Sequence, residues 1–479
     1  RNSYNITLLF NSNDNAGNGI TEYSNINRFG NLYKLSNRNI ISDAESYSPS
    51  ASISYTHKGK DPAETFKING GFNITHYDNA RNFYQQYLNP DYSWTGNDSL
   101  QQQNSIVKSH NFYIRLNYDR PLKASKIFLG AGATLNRLVS HNSLQTAFMK
   151  KPENIFLNNE LLSNNFKFFQ DIYGVRVSLR YQFNINLFAN AGVLTEYANT
   201  SFDIVNNMDS YANHYVSLLP FVNITRKWES GINITGSYKR SVQRPGINNL
   251  NPSIDYADPY NTRFGNPFLK PYFADNFDLG TGYWNKSYNI NLAIGYNVLT
   301  QIYSSIRSLQ PDGKTTTTWE NLSGRKEYEA SIWGGATISK KAKANASMGY
   351  TYNVYSIHDR MVNKYRNGGS IHSSLNSTYQ FNTLLNANGN VTWHRFANPQ
   401  GTVRNAISMN IGIQQKLLKK NMTISFNVID PFYRLQNKIF INAPNYSLQS
   451  NSTSNSRNFR VSVGYTFKKA VKKKLKVKN

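Results

Sequence analysis

Apolar and polar residues alternate with a period of two through most of the chain. In the segment 66–76, Phe66, Ile68, Phe72 and Ile74 share one face, and Lys67, Asn69, Asn73 and Thr75 share the other. The same reading holds for Val175, Val177, Leu179, Tyr181 and Phe183 against Arg176, Ser178, Arg180 and Gln182. It holds again for Ile290, Leu292, Ile294, Tyr296 and Val298, for Met422, Ile424, Phe426 and Val428, and for Val461, Val463, Tyr465 and Phe467. Successive side chains of a strand point to opposite faces, so each segment predicts a strand with one apolar and one polar or small face. The predicted strands run to roughly 10–14 residues, against a usual soluble mode of about 5–6 and the 9–11 that a tilted strand needs to cross a bilayer.

The connections alternate too. Short turns are predicted at 58–63, 120–125, 183–184, 226–229, 285–287, 340–343, 381–382 and 417–420. Long connections are predicted at 78–104, 139–165, 199–210, 241–274, 304–325, 357–368, 397–403 and 432–456. Short turns at one end and long loops at the other are the wiring of a bacterial outer-membrane barrel. A soluble sandwich predicts shorter strands and similar loops at both ends. The expected fold is therefore all-β: a transmembrane, antiparallel, up-and-down β-barrel over residues 1–467, with about 18 strands visible. About 17 of them follow residue 49, and 4–10 adds one upstream. Residues 315–320 and 436–446 look extended and are taken as loop structure. Residues 468–479 form a basic tail, expected on the periplasmic side with the short turns.

Composition narrows the field. The chain has 479 residues, no cysteine, 33 Tyr, 27 Phe and a formal net charge of +26, with mean hydropathy −0.57. Disulfides and thiolate metal sites are excluded, and no run reaches the roughly 18 apolar residues of a spanning helix. The positive charge is spread over short turns and the tail, not gathered on a recognition element, so nucleic acid is not an expected partner. On the turns it is expected against anionic lipid headgroups. Alternation places Arg115, Arg176 and Arg180 on the polar face, as candidates for a lumen wall. On a lipid face each would cost about 2–4 kcal/mol near the midplane. Tyr181, Phe183, Tyr465 and Phe467 fall at strand ends, where an interfacial girdle belongs. The eight histidines are scattered, Gly130 and Gly132 lack the context of a dinucleotide loop, and Glu327 and Glu329 share a strand face. No catalytic, cofactor or metal constellation is expected.

The segment 244–280 breaks the alternation with five of the chain's 15 prolines. Its Arg244, Pro245, Leu250, Asn251, Pro252, Tyr256, Asp258, Pro259, Tyr260, Gly265, Asn266, Pro267, Leu269, Lys270, Pro271, Asn276, Leu279 and Gly280 together resemble the mid-barrel signature of TonB-dependent receptors. The pattern is most similar to the Bacteroidota outer-membrane β-barrel family related to them. Tyr272 stands where an acidic residue is usual. Val463, Tyr465 and Phe467 resemble the aromatic-terminated signal read by the barrel-assembly machinery. The resemblance implies a 22-stranded barrel, an N-terminal plug and a TonB box. Neither plug nor box is found in this chain, which is expected to lack about four strands and the plug or to be a smaller barrel. It implies outer-membrane localisation and uptake of a scarce solute, such as a metal chelate, glycan or peptide, through coupling to TonB by way of the plug. The alternative is a non-transport barrel that scaffolds surface lipoproteins or a secretion or assembly complex. An open diffusion pore suits the missing plug but not the signature loop. Tyr84, Tyr87, Tyr92 and Trp94 cluster in the expected loop 78–104, where stacking on sugars or on other loops would use them.

Overall fold

The computed structural model describes residues 1–27, 29–61, 63–122, 126–204, 209–361, 365–405, 407–432, 436–442, 447–453 and 457–466. Lys123, Phe467 and the tail 468–479 lie outside the described residues. The chain opens with β1 (Asn2–Ile26), β2 (Leu32–Lys58), β3 (Thr65–Leu88), β4 (Trp94–Leu122), β5 (Ile127–Lys150), β6 (Ile155–Asn158), β7 (Asn164–Asn184), β8 (Leu187–Ile204), β9 (Asp209–Lys227) and β10 (Ile232–Gln243). A short helix α1 (Ile247–Leu250) and β11 (Asn261–Arg263) interrupt the run. There follow β12 (Tyr272–Trp284), β13 (Tyr288–Thr300), β14 (Tyr303–Leu309), β15 (Thr315–Asn321), β16 (Gly324–Thr337), β17 (Ala342–Tyr355), α2 (Ile357–Met361) and β18 (Gly368–Gln380). The order ends with β19 (Leu385–Asn398), β20 (Gly401–Asn405), β21 (Ser408–Leu417), β22 (Met422–Ile429), β23 (Gln436–Asn442), β24 (Ser447–Thr453) and β25 (Asn458–Tyr465).

One antiparallel sheet holds 22 of these strands, and β11, β14 and β15 form a separate three-stranded sheet. Four of the 22 are short additions: β6 pairs with the far end of β5, and β20, β23 and β24 extend from β19. The other 18 run up and down in sequence order, the number read from the alternation. Of the extended segments 315–320 and 436–446, the first falls in β15 and residues 436–442 of the second form β23, both in connections between long strands, while 443–446 lie outside the described residues. The chain divides into two compact units: Arg1–Val222 with Lys239–Phe273 and Tyr303–Asn321, and Asn223–Tyr238 with Ala274–Ile302 and Leu322–Asn479.

In the first unit the strands are far longer than expected, reaching 29 residues in β4. The expected loops 78–104 and 139–165 are largely ladder: Arg81 pairs with Gln103 and Gln103 with Thr146. Tyr84, Tyr87 and Trp94 are therefore strand residues, and only Tyr92, at φ 66°, occupies the tip. Likewise residues 11–48, where no strand was expected, continue β1 and β2 in register from Asn11↔Ser48. The reason is physical. Alternation is legible only where one face is apolar. The ladder's backbone hydrogen bonds need no such pattern, so strands persist beyond the apolar band.

Within that band the two faces separate cleanly. Direct pairing aligns Ile68, Leu116, Ala133 and Val175 across β3, β4, β5 and β7. These apolar rows are left open, with Val175 61% and Val177 49% exposed. The opposite face carries Asn69, Arg115, Thr134 and Gly174 in one row. An apolar face this continuous is unstable in water, and lipid is the medium that satisfies it. In the second unit Leu292↔Ile332↔Met348 repeats the apolar row across β13, β16 and β17. Glu327 faces Asn297 and Asn353 on the polar side, and Glu329 lies two residues along on the same face.

Candidate functional site

The polar face of the first unit turns apolar near the long-connection ends of the strands. Phe166 and Phe168 have the parity of Arg176 and Arg180, and they pair directly with Ile204 and Phe202 on β8. All four are buried with Leu250 and Leu269 of the signature segment, and Tyr303 and Trp319 pack against them. Fully burying a Leu or Phe side chain contributes about 1.5–3 kcal/mol each, so this cluster is what docks the segment onto the wall.

Polar fastenings surround the cluster. Arg244 leaves β10 and forms an ion pair with Glu196 of β8 at 2.6 Å. Its carbonyl accepts from the Tyr303 hydroxyl at 2.9 Å. Burial raises the Tyr303 phenol above its ordinary value, which keeps it a neutral donor. Pro245 ends the strand, since proline cannot continue a ladder. Asn251 Oδ1 accepts from the Ser253 amide and hydroxyl, closing a turn at Pro252. Asp258 does the same for Tyr260 and Asn261 around Pro259. Gly265 and Asn266 donate their amides to Asn251 O and Asn249 O, each at 2.7 Å. A Cβ on Gly265 would stand 2.5 Å from Asn251 O and 2.7 Å from Asn249 O, so only glycine fits this crossing. Asn266 Nδ2 reaches Trp319 O at 2.8 Å, leading through Pro267 to the buried Leu269 and Pro271. The Asn321 side chain holds both the amide and the carbonyl of Lys270. β11 pairs in parallel with β15, tying the segment to the β14–β15 hairpin.

The deepest fastening is Arg38 of β2, which is 3% exposed. Its Nε donates to Ala257 O at 2.7 Å, Nη1 to Gln85 Oε1 at 3.1 Å and Nη2 to Gln101 Oε1 at 2.7 Å. The guanidinium lies 4.4 Å from the centre of the Phe83 ring. Tyr260 packs nearby against Tyr23, the rings tilted with centroids 4.8 Å apart, and Lys34 Nζ lies 5.1 Å from its ring. The result is a cap, built by residues 244–273 and 303–321, on the polar face of β2–β8.

The signature residues from Arg244 to Pro271 are thus gathered in this one cap. Arg115, Arg176 and Arg180 lie elsewhere on the same polar face, toward the short turns. Each rests on an aromatic ring: Arg115 on Tyr113 at 5.3 Å, Arg176 on Phe221 at 4.8 Å and Arg180 on Phe128 at 4.0 Å. Gly132 pairs directly with both Asn117 and Arg176, and a Cβ there would meet Asn117 Oδ1 at 3.2 Å, so the glycine makes room for its neighbours. Val463 and Tyr465 sit exposed on β25. Arg38, Gln85, Gln101 and Glu196 were not legible as site residues, because no apolar alternation or motif marks their surroundings. The parity switch at Phe166 and Phe168 was a signal that could have located the docking patch.

The fold is shared with solved structures of low sequence identity. A copper transporter, OprC, superimposes with a TM-score of 0.58 at 10% identity, covering 96% of this chain and 80% of that one. The ferric yersiniabactin uptake receptor FyuA from Yersinia pestis gives 0.53 at 10% identity, covering 96% and 76%. The siderophore receptor PiuA from Acinetobacter baumannii gives 0.53 at 12% identity, covering 96% and 79%. No curated protein sequence matches the chain. The model of one family spans residues 57–465, from the end of β2 to the end of β25, and by that match the chain belongs to the outer membrane protein beta-barrel family.

Proposed function

We propose that this outer-membrane barrel is the wall of a TonB-dependent, receptor-like uptake protein for a scarce solute such as a metal chelate, glycan or peptide. The observation that carries the reading is the cap: a signature segment with its own helix and small sheet, clamped onto the polar face by Arg38, Glu196 and the Phe166–Leu269 cluster. A pore that only lets solutes diffuse has no use for so large a built element across its polar face. The long connections face outside in this reading, and the short basic turns face the periplasm, together with the tail 468–479. Arg115, Arg176 and Arg180 line the passage below the cap. A plug from outside this sequence brings TonB to it, and Val463, Tyr465 and Phe467 form the assembly signal. The Bacteroidota affinity of the signature belongs to the same reading, as does the likeness to a siderophore receptor and a copper transporter. Deletion of the gene is expected to abolish growth on the limiting solute, with the same defect when TonB is removed. Unimpaired uptake with a surface lipoprotein retained on the purified barrel would favour the scaffold reading instead.

A further inference from the structure

On the apolar face of the first unit the belt stops abruptly at its long-connection end. On β4 the outward residues run Tyr118, Leu116, Ile114, Phe112 and then His110 and Lys108. On β5 they run Leu129, Ala131, Ala133, Leu135 and then Arg137, Val139 and His141. On β7 they run Leu179, Val177, Val175, Tyr173 and then Asp171, Phe169 and Lys167. Lys108 pairs directly with His141, and His141 with Lys167. Adjacent strands lie about 4.8 Å apart, so the two lysines flank the histidine within about 10 Å. All three are exposed, and they border an open recess of about 360 Å³ that Ile106, Asn142 and Ser143 also line.

The acidic groups nearby are otherwise engaged or offset. Asp171 is taken by Arg137 in a two-point ion pair, with bonds of 2.7 and 2.9 Å. Asp203 stands opposite Lys167 but accepts from Ser210 Oγ at 2.7 Å. Asp78 pairs with Ile106, one outward step beyond Lys108. Neither lysine enters an ion pair among the described residues.

We propose that the Lys108–His141–Lys167 row binds the phosphate of a lipid headgroup in the leaflet at the long-connection end of the barrel. The row faces away from the capped polar face and begins where the apolar belt ends. A phosphate bonded to an acyl-bearing backbone would sit there while its chains cover Val175, Val177 and their neighbours. Two ammonium groups supply charge, and the imidazole supplies a directional hydrogen bond. A soluble anion gains nothing from the belt, whereas a lipid is held by both parts.

The test uses the whole chain in phosphatidylcholine nanodiscs doped with labelled phosphatidic acid. Replacing both lysines by glutamine, K108Q with K167Q, is expected to lower retention of the label about tenfold, whereas Lys314→Gln in the β14–β15 hairpin leaves it unchanged. Equal retention by the double variant, or displacement of the label by equimolar inorganic phosphate, would overturn the proposal. A phosphatidic acid with a photo-crosslinker on its headgroup gives a readout on the unaltered protein. Crosslinks are expected within 106–108, 141–143 and 165–167, and crosslinks scattered evenly over the exposed apolar face would contradict the assignment.

Discussion

Replacing Arg38 by methionine is expected to release the cap while leaving the strands paired. Methionine fills part of the volume but offers no donor. Ala257 O, Gln85 Oε1 and Gln101 Oε1 each lose a bond from a charged group, in surroundings where the two glutamines are 1% and 2% exposed. A hydrogen bond to a charged group contributes about 1.5–3 kcal/mol, and a buried acceptor left without a partner adds a desolvation cost. Even one such loss uncompensated is comparable to the docking of a buried leucine. Amide exchange across Tyr256–Asn266 should accelerate about 100-fold, a change equivalent to about 3 kcal/mol. Exchange in β4, β5 and β7 should be unaffected. If the cap amides keep their protection in R38M, the Phe166–Leu269 cluster alone holds the segment, and the clamp described for Arg38 is wrong.

Replacing Val177 by arginine is expected to have the larger effect on the barrel as a whole. Val177 lies midway along the outward run of β7, with Ala131 and Val193 as its direct partners. A guanidinium there faces lipid near the midplane, at a cost of about 2–4 kcal/mol. The neighbouring Arg176 faces the other way, so R176V removes only a cation–ring contact to Phe221, worth about 0.5–2 kcal/mol. The midpoint of urea unfolding in lipid vesicles should therefore fall clearly for V177R and only slightly for R176V. Comparable losses would mean that both faces of β7 meet the same medium.

These two residues mark the limits of what could be read from the chain. Val177 and its belt were legible because lipid on one face and a polar interior on the other force a strict period of two. The strand count followed, since every crossing needs such a belt. Arg38 was illegible for the complementary reason. It lies in a part of β2 that continues past the belt, where Ser, Asn and Asp occupy both faces and only backbone pairing defines the strand. The signature segment stood out through its prolines and glycine, and Gly265 is at the crossing that demands one. Its attachment was not visible, because Glu196, Gln85 and Gln101 lie 48 or more residues from the cap residues they hold, directly or through Arg38. Phe166 and Phe168 looked like ordinary strand residues unless their parity was compared with that of Arg176.

The central claim is that one face of this sheet meets lipid and the other meets water. The chain contains no cysteine, so single cysteines can be introduced without background. Six variants with cysteine at 175–180, in intact outer membranes, should react with a water-soluble maleimide in strict alternation. Positions 176, 178 and 180 should label, and positions 175, 177 and 179 should label only with a membrane-partitioning reagent. Water-soluble labelling of both sets at similar rates would contradict the account.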